Sequence, residues 1–318
     1  MASCRTDRPR PCPKRRRARR SRSTTVIAPE APRPAPLPDH LSYSALKQLQ
    51  TCPLQYRLER VDRAPPEHRS PGLLLGAAYH RVLAHALRSV KESGAEAHGL
   101  TREALLLWFD DLWAEELDAA GPPVLWSERT TPENQRDLGR AMVAAWHAKG
   151  LPLFAEAKAV LAVEEPFCVE LVRSDGRRLR TPLAGVIDAI VLRRDDTVVV
   201  VDHKTARQAY AESYLELDLQ AAAYTYAAGR LGRERPAFEF HVASKRKAPE
   251  LSVVPVTCGP DSFDRLFWVA SQAERLVESG VYLPAAPTWL CDSCDVRNAC
   301  AGAHRAAAAS DGALAVAS

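Results

Sequence analysis

Four cysteines at the two ends of the chain constrain its fold more than any other feature of the sequence. Cys52 stands near the start of the expected folded region, and Cys291, Cys294 and Cys300 form a C-x2-C-x5-C cluster that begins 239 positions later. Four thiolates are a common ligand set for zinc or for an iron-sulfur cluster, and ligands from distant segments stabilise a fold by joining them. We therefore expect a metal centre that joins both ends of one domain.

The chain carries eight cysteines but no apolar segment typical of export or of a membrane span. A secretory signal would need an apolar stretch near the N-terminus, and a membrane helix would need about 18 consecutive apolar residues. Disulfide frameworks belong mainly to exported proteins. The sequence therefore predicts reduced or metal-bound thiols, a cytoplasmic location and no membrane partner.

Charge is distributed unevenly along the chain. Residues 1–38 hold 11 of the 43 Lys and Arg but two of the 39 Asp and Glu, which leaves a net charge of −5 for the remainder. Because this segment is rich in Arg and Pro and lacks apolar periodicity, we expect a disordered basic tail at 1–38. A folded domain is expected at 39–305, followed by a disordered Ala-rich tail at 306–318. The basic tail is a nucleic-acid-binding arm, a solvated extension or the product of a mis-set start codon.

Helical periodicity dominates the first half of the expected domain. Ser42 is a candidate N-cap of a short helix that ends near Cys52, and an amphipathic pattern predicts a helix over 73–92. Similar patterns predict helices at 101–118 and 132–149. The N-terminal half is therefore expected to be mainly helical.

The period changes to two after residue 159. Three β-branched runs at 159–172, 181–192 and 197–205 are separated by turn signals, which is typical of an antiparallel meander. The predicted elements that complete the α/β core are a helix at 212–231, strands at 237–244 and 251–257, and a helix at 261–279.

Three charged residues mark the ends of two predicted strands. Asp202 and Lys204 follow the run VVVV, and since side chains alternate along a strand they project to the same face. If the strands before and after the turn at 194–196 pair, Asp188 lies beside Asp202, and two carboxylates make a divalent-cation site. Such a site with an adjacent Lys suits phosphodiester hydrolysis. A D-x-K pair alone is a weak signal, because charged residues flank many edge strands.

A more specific signal comes from six segments and their order along the chain. Together they resemble the RecB-like exonucleases of the PD-(D/E)XK nuclease superfamily, over roughly residues 40–303. The resemblance implies an α/β, restriction-endonuclease-like core with a mixed sheet flanked by helices, a helical N-terminal half and a four-cysteine staple of the AddB type. The six segments are LSYSALKQLQTCPLQYRL, GAAYHRVL, GVID, VDHKT, QAAAY and PTWLCDSCDVRNAC.

The resemblance also implies roles for individual residues. Asp188 and Asp202 would ligate Mg²⁺ or Mn²⁺, with the side chain of His80 and the backbone carbonyl of His203 as further ligands. Lys204 would orient the attacking water and stabilise the charge that develops on the phosphate. The resemblance therefore implies a catalytic set of Asp188, Asp202 and Lys204.

Other residues are weaker candidates. Gln220 and Tyr224 share one helix face at i and i+4, where they would support the catalytic strand and touch nucleic acid, although this Ala-rich helix would also pack without any such role. Glu164 is a candidate outer member of the site, in competition with the neighbouring Glu165.

Contacts to nucleic acid require local basic groups, because the net charge of the expected domain repels phosphate. Lys245 and Arg246, in the segment SKRK after a predicted strand, are the candidate phosphate contacts, with a solvated turn as the alternative. The chain contains no G-x-x-x-x-G-K-[ST] sequence, so any helicase activity would come from a separate partner.

Cysteine spacing alone does not separate zinc from iron, but one remote ligand with three clustered ones matches the iron-sulfur staple of the RecB-like group and implies a [4Fe-4S] cluster.

The resemblance as a whole implies a metal-dependent DNA nuclease, an exonuclease on single strands or duplex ends in repair, recombination or defence. The alternatives are a non-catalytic DNA-end-binding module and a zinc-stabilised adaptor. The presence of both acids and the Lys favours catalysis.

Overall fold

The computed structural model describes residues 36–93, 100–207 and 218–305. The predicted disorder of residues 1–35 and 306–318 lies outside these ranges. None of the helices within the described ranges is long and apolar enough to cross a bilayer.

Helices make up the described chain before the sheet, as the sequence predicts. Threonine or serine side chains cap three of them: the Oγ of Ser42 and the Oγ1 of Thr101 and Thr131 each accept a hydrogen bond from a first-turn backbone N–H, which satisfies a donor that has no partner inside the helix. The elements are α1 (Tyr43–Thr51), α2 (Pro53–Tyr56), a π-helical turn (Arg57–Val61), α3 (Pro71–Ser93), α4 (Arg102–Asp118), α5 (Pro132–Lys149) and α6 (Leu151–Ala155).

Cys52 lies at the junction of the first two helices. Its extended backbone ends α1, and its Sγ accepts a hydrogen bond from the N–H of Gln55 at 3.4 Å, so that the cysteine acts as the N-cap of α2. Pro53 occupies the first position of α2, where the missing N–H costs nothing. The predicted position of this cysteine at the end of a short helix is confirmed.

Five strands form one mixed sheet in the order β1-β2-β3-β4-β5. The first three form the predicted antiparallel meander, β3 and β4 are parallel, and β5 is antiparallel to β4. A helix connects β3 to β4, as parallel neighbours require. The strands are β1 (Ala159–Val169), β2 (Leu183–Leu192), β3 (Val198–Ala206), β4 (Ala237–Ser244) and β5 (Leu251–Val256).

Four helical segments follow the meander within the described residues, and three of them are labelled. The predicted helix at 212–231 is observed from residue 219, and residues 212–217 lie outside the described ranges. Residues 297–305 are also helical. The labelled elements are α7 (Leu219–Arg230), α8 (Pro260–Ser279) and α9 (Trp289–Asp292).

Helices cover both faces of the sheet and create two separate cores. Val200 of β3 packs with α1, α7 and α8 on one face, whereas its neighbours Val199 and Val201 pack with α3 to α6 on the other. The sheet is therefore buried on both sides, as its near-continuous apolar strands indicate. The predicted α/β core, with a mixed sheet and flanking helices, is confirmed.

The packing of α5 against α4 depends on a glycine. A Cβ at Gly139 would overlap the ring of Phe109, which is fully buried and cannot move aside. We expect Gly139→Ala to lower the free energy of unfolding by about 2 kcal/mol through overpacking, as measured by urea denaturation. Gly229→Ala is the matched control, because the exposed Gly229 of α7 has no heavy atom within 4 Å of the added Cβ and Ala favours helix. Equal stabilities of the two variants would contradict this packing.

Candidate active site

The two central strands separate at the predicted acidic residues. β2 and β3 pair only over Ala189–Leu192 and Val198–Val201. Beyond this point β2 continues beside β1, and β3 continues beside β4. Asp188 and Asp202 are the first residues after the last pair, so the fork between the strands brings the two carboxylates to one place.

Asp188 is held in the ionised form by its partners. Its Oδ2 accepts a hydrogen bond from the backbone N–H of His203 at 2.7 Å and lies 3.4 Å from Nδ1 of His80 on α3. Burial alone would raise the pKa of Asp188, but the contacts with His80 and His203 outweigh burial and lower it to about 2. Burial likewise opposes charge on His80, and Asp188 raises the pKa of His80 above its usual value.

Asp202 has the opposite electrostatic balance. The residue is 2% exposed, and burial together with the charge of Asp188 raises its pKa to about 7 against the influence of Lys204. Its Oδ1 accepts a hydrogen bond from Nε2 of Gln220 at 2.7 Å. Its Oδ2 lies 2.6 Å from Nζ of Lys204, with which it forms an ion pair, and it has no other partner within the described residues.

Lys204 faces the same side of β3 as Asp202, as the strand period predicts. Burial opposes the charge of its ammonium, but Asp202 outweighs burial and raises the pKa of Lys204 above its usual value. The ammonium therefore stays protonated at neutral pH. One cation and two acids thus share the open end of the fork.

The imidazole of His203 lies on the other side of the strand. It is buried against the rings of Trp146, Phe154 and His241, and burial holds its pKa well below the usual value. Neither ring nitrogen has a hydrogen-bond partner in the described part of the chain. The main chain of His203 borders the fork, where its N–H donates to Asp188, and the centroid of its ring lies 6.2 Å from that of His80. The role of its carbonyl as a ligand stays a prediction.

The start of α7 orients Gln220 toward Asp202. Asp218, which the sequence analysis missed, caps this helix by accepting a hydrogen bond from the N–H of Gln220 at 2.6 Å. An Asp before a helical segment is a recognisable N-cap signal. Tyr224 packs against Phe167, with 5.7 Å between ring centroids, and burial raises the pKa of Tyr224 to about 12.

The glycine of the GVID segment has a packing role. A Cβ at Gly185 would lie 2.9 Å from Cζ of Phe167 and 3.6 Å from Cε1 of Tyr224. The first distance is shorter than real Cβ contacts allow, so a side chain here would displace Phe167. Gly185 therefore lets β2 approach the ring pair beside the fork.

Glu164, rather than Glu165, faces the site. Its neighbours Val163 and Glu165 pair with Ala189 and Ile187, on either side of Asp188, and the φ of 51° at Glu164 is unusual for a residue with a side chain. Its carboxyl group lines a cleft with His80 and Arg88. Burial and then the charge of Asp188 raise the pKa of Glu164.

Two clefts meet at His80 and Ala77 on α3. One has a volume of about 480 Å³ and the other about 470 Å³. Arg246 is exposed and lines neither cleft, whereas Lys245 turns into the first. Besides the two shared residues, the lysine cleft includes Gly72, Gly76, Lys204, Thr205 and Lys245, and the arginine cleft includes Arg81, His85, Arg88 and Glu164.

The four cysteines line one mainly apolar cavity of about 280 Å³. Cys52 accepts a second backbone hydrogen bond, from the N–H of Ala285 at 3.5 Å. Burial raises the pKa of the Cys300 thiol, and the nearby Cys52 and Cys291 raise it further. None of these four cysteines forms a disulfide.

Within residues 36–93, 100–207 and 218–305, no group of three His, Cys, Asp or Glu side chains is arranged to hold a metal ion as it stands. The donor types nevertheless fit two kinds of ion. The buried Oδ2 of Asp202 has Lys204 Nζ as its single partner among the described residues, and it lies at the fork beside an ionised Asp188, which suits a hard divalent cation. Four sulfurs around one cavity suit zinc or an iron-sulfur cluster.

The PD-(D/E)XK nuclease superfamily matches residues 40–301. Two solved structures align with 80% and 82% of this chain: a provisionally named exonuclease from Eubacterium rectale (13% identity, TM-score 0.47, 88% of that chain) and the protein SSO0001 (12% identity, TM-score 0.36, 85% of that chain). Comparison with curated proteins gives no match. Because the family match covers most of its length, the chain belongs to the PD-(D/E)XK nuclease superfamily, whose members hydrolyse phosphodiester bonds.

Proposed function

We propose that this protein is a metal-dependent DNA nuclease of the RecB-like type, an exonuclease that acts on single strands or duplex ends in repair, recombination or defence. The observation that carries the proposal is the strand fork, where the ionised Asp188 meets the buried Asp202 and Lys204 Nζ lies 2.6 Å from Asp202 Oδ2. Adjacent carboxylates and a lysine at one point match the needs of phosphodiester hydrolysis.

In this proposal Asp188 and Asp202 hold Mg²⁺ or Mn²⁺, with His80 and the backbone carbonyl of His203 as further ligands. When bound, the cation polarises the phosphate and lowers the pKa of a water ligand. Lys204 donates hydrogen bonds to the attacking water or to a phosphate oxygen, and its positive charge stabilises the negative charge that develops there.

Positioning residues hold these groups in place. Gln220 fixes the carboxylate plane of Asp202 through its 2.7 Å hydrogen bond, and Tyr224 supports the same helix face. Glu164 is an outer member of the acidic site, separated from Asp202 by Asp188. Since catalytic geometry tolerates little displacement, loss of any of them would reduce the rate constant without removing the reacting groups.

Cation binding is expected to release a proton. Asp202 has a pKa of about 7 without the cation, and it must be ionised to bind a cation. Mn²⁺ affinity should therefore fall about tenfold from pH 8 to pH 6, since a group one unit below its pKa is about one-tenth ionised. Isothermal titration calorimetry of the full chain, in buffers of different ionisation enthalpy, measures the proton count, which is the number of protons released for each Mn²⁺ bound. His80 titrates in the same direction, so Asp202→Asn is the control that isolates the contribution of Asp202. An unchanged proton count in that variant would contradict the assignment.

The nuclease activity itself is tested with an end-labelled single-stranded oligodeoxynucleotide, anaerobically purified protein and Mn²⁺. The expected result is a ladder of products, whose labelled end reports the polarity, and parallel RNA and duplex substrates report the preference. Binding of DNA ends without cleavage of any substrate, in Mg²⁺ or Mn²⁺, would favour the non-catalytic end-binding module. Because the chain lacks a G-x-x-x-x-G-K-[ST] sequence, we infer that any unwinding is supplied by a separate helicase.

The cysteine cavity is proposed to hold a [4Fe-4S] cluster that joins the α1–α2 junction to the C-terminal segment. The wide separation of Cys52 from the other three ligands supports iron over a zinc ribbon, which takes its ligands as two close pairs. Metal and sulfide analysis of anaerobically purified protein tests this. Zinc without iron would support the zinc-stabilised alternative.

A further inference from the structure

Lys245 turns its side chain into the protein surface rather than away from it. It is the first residue after β4, and its backbone N–H donates to the carbonyl of Ala206 at 2.7 Å, which ties this turn to the end of β3. Its Nζ lies 3.6 Å from the position that a Cβ on Gly72 would occupy. The ammonium is therefore located over the first turn of α3, inside the lysine cleft.

Among the residues that the structure describes, the cation in this cleft has no counter-charge. Burial, and then the neighbouring Arg207, lowers the pKa of Lys245, and no carboxylate of the described residues opposes this effect. In the described part of the chain no acidic side chain forms an ion pair with it. A half-buried ammonium without an anion costs free energy, so this arrangement is expected where a ligand supplies the negative charge.

The cleft has space for such a ligand next to the fork. Lys204 and Thr205 form one wall, and Gly72 and Gly76 leave α3 without side chains opposite them. A Cβ at Gly76 would be in van der Waals contact with Oγ1 of Thr205, at 3.9 Å, so the glycine leaves open a space that a side chain would occupy. The start of α3 adds partial positive charge to the same cleft.

We propose that the lysine cleft binds the phosphate next to the scissile phosphate of a single nucleic acid strand, and that Lys245 is the positioning cation of this subsite. This inference rests on the proposed nuclease function. His80 belongs to both clefts, so a strand that crosses the fork has one neighbouring phosphate at Lys245 and the other toward the arginine cleft. Substrates with at least two consecutive phosphodiesters should therefore depend on Lys245, and a single phosphodiester should not.

The test compares Lys245→Met with Lys247→Met in the full chain. Lys247 is an exposed residue of the same segment that does not line the cleft. With a single-stranded oligodeoxynucleotide, Lys245→Met should raise KM about tenfold with little change in kcat, because it removes one charge-assisted phosphate contact. It should also reduce the slope of log affinity against log salt by about one. Lys247→Met should match the wild type, and Lys245→Arg should restore most of the affinity.

Two further kinds of substrate distinguish the outcomes. With bis-p-nitrophenyl phosphate, which has one phosphodiester and no neighbouring phosphate, Lys245→Met should be as active as the wild type. The other substrates are oligonucleotides with one neutral methylphosphonate on either side of the scissile bond. The wild type should lose affinity when the methylphosphonate is at the position that Lys245 contacts. Lys245→Met should lose no further affinity at that position. The proposed subsite would be overturned if Lys245→Met and Lys247→Met had the same KM for the oligonucleotide. It would also be overturned if Lys245→Met lost as much activity on bis-p-nitrophenyl phosphate as on the oligonucleotide. A wild type that cleaves neither substrate would instead overturn the nuclease function.

Discussion

Replacement of Lys204 by Ala is expected to lower kcat for oligonucleotide cleavage by about 10³-fold or more. The ammonium is located 2.6 Å from Asp202, on the side of the fork where the phosphate would be bound, and a positioned cation is worth most when negative charge develops in a water-poor site. The measurement is single-turnover cleavage of an end-labelled single strand with saturating Mn²⁺.

Asp202→Asn separates the role of Lys204 from that of the cation site. This nearly isosteric change should lower the rate by a similar factor and also weaken Mn²⁺ binding, whereas Lys204→Ala should leave the metal stoichiometry unchanged. The exposed Lys247→Ala is the control for loss of a nearby positive charge. Cleavage at the wild-type rate by Lys204→Ala would show that the fork is not the active site.

Replacement of Cys294 by Ser is expected to remove the proposed metal centre and lower Tm by about 10 °C or more. The cavity brings Cys52 of the α1–α2 junction to the three C-terminal cysteines, and the small cluster of Leu54, Leu58 and Val296 provides the local apolar contacts. Loss of a metal centre that joins such segments removes several kcal/mol of folding free energy, and each kcal/mol corresponds to about 2–4 °C in a domain of this size class.

The matched control is Cys168→Ser, because Cys168 is exposed on β1 and does not line the cavity. It should retain full metal content and Tm. Iron, zinc and sulfide analysis and thermal melting are the measurements, with cleavage assayed separately at low temperature, where the fork should stay folded. Full metal content and an unchanged Tm in Cys294→Ser would contradict a role of the four cysteines in a structural centre.

Local patterns in the sequence determined most of the fold. Helix starts at Ser42, Thr101 and Thr131 follow from capping, which depends on a few consecutive residues. The three-strand meander follows from a period of two and from turn residues between the strands. The shared face of Asp202 and Lys204 follows from the same period. These features are readable because neighbours along the chain cause them.

Only the tertiary structure decided how the site is charged and which basic residues border it. The separation of β2 from β3 at Asp188, and the burial that raises the pKa of Asp202 to about 7, depend on contacts beyond the neighbouring residues of each strand. Lys245 and Lys247 look alike in the segment SKRK. They differ because the hydrogen bond to Ala206 turns Lys245 into the cleft beside α3 and Lys247 remains exposed. Burial and orientation arise from packing between distant segments, which local patterns do not encode.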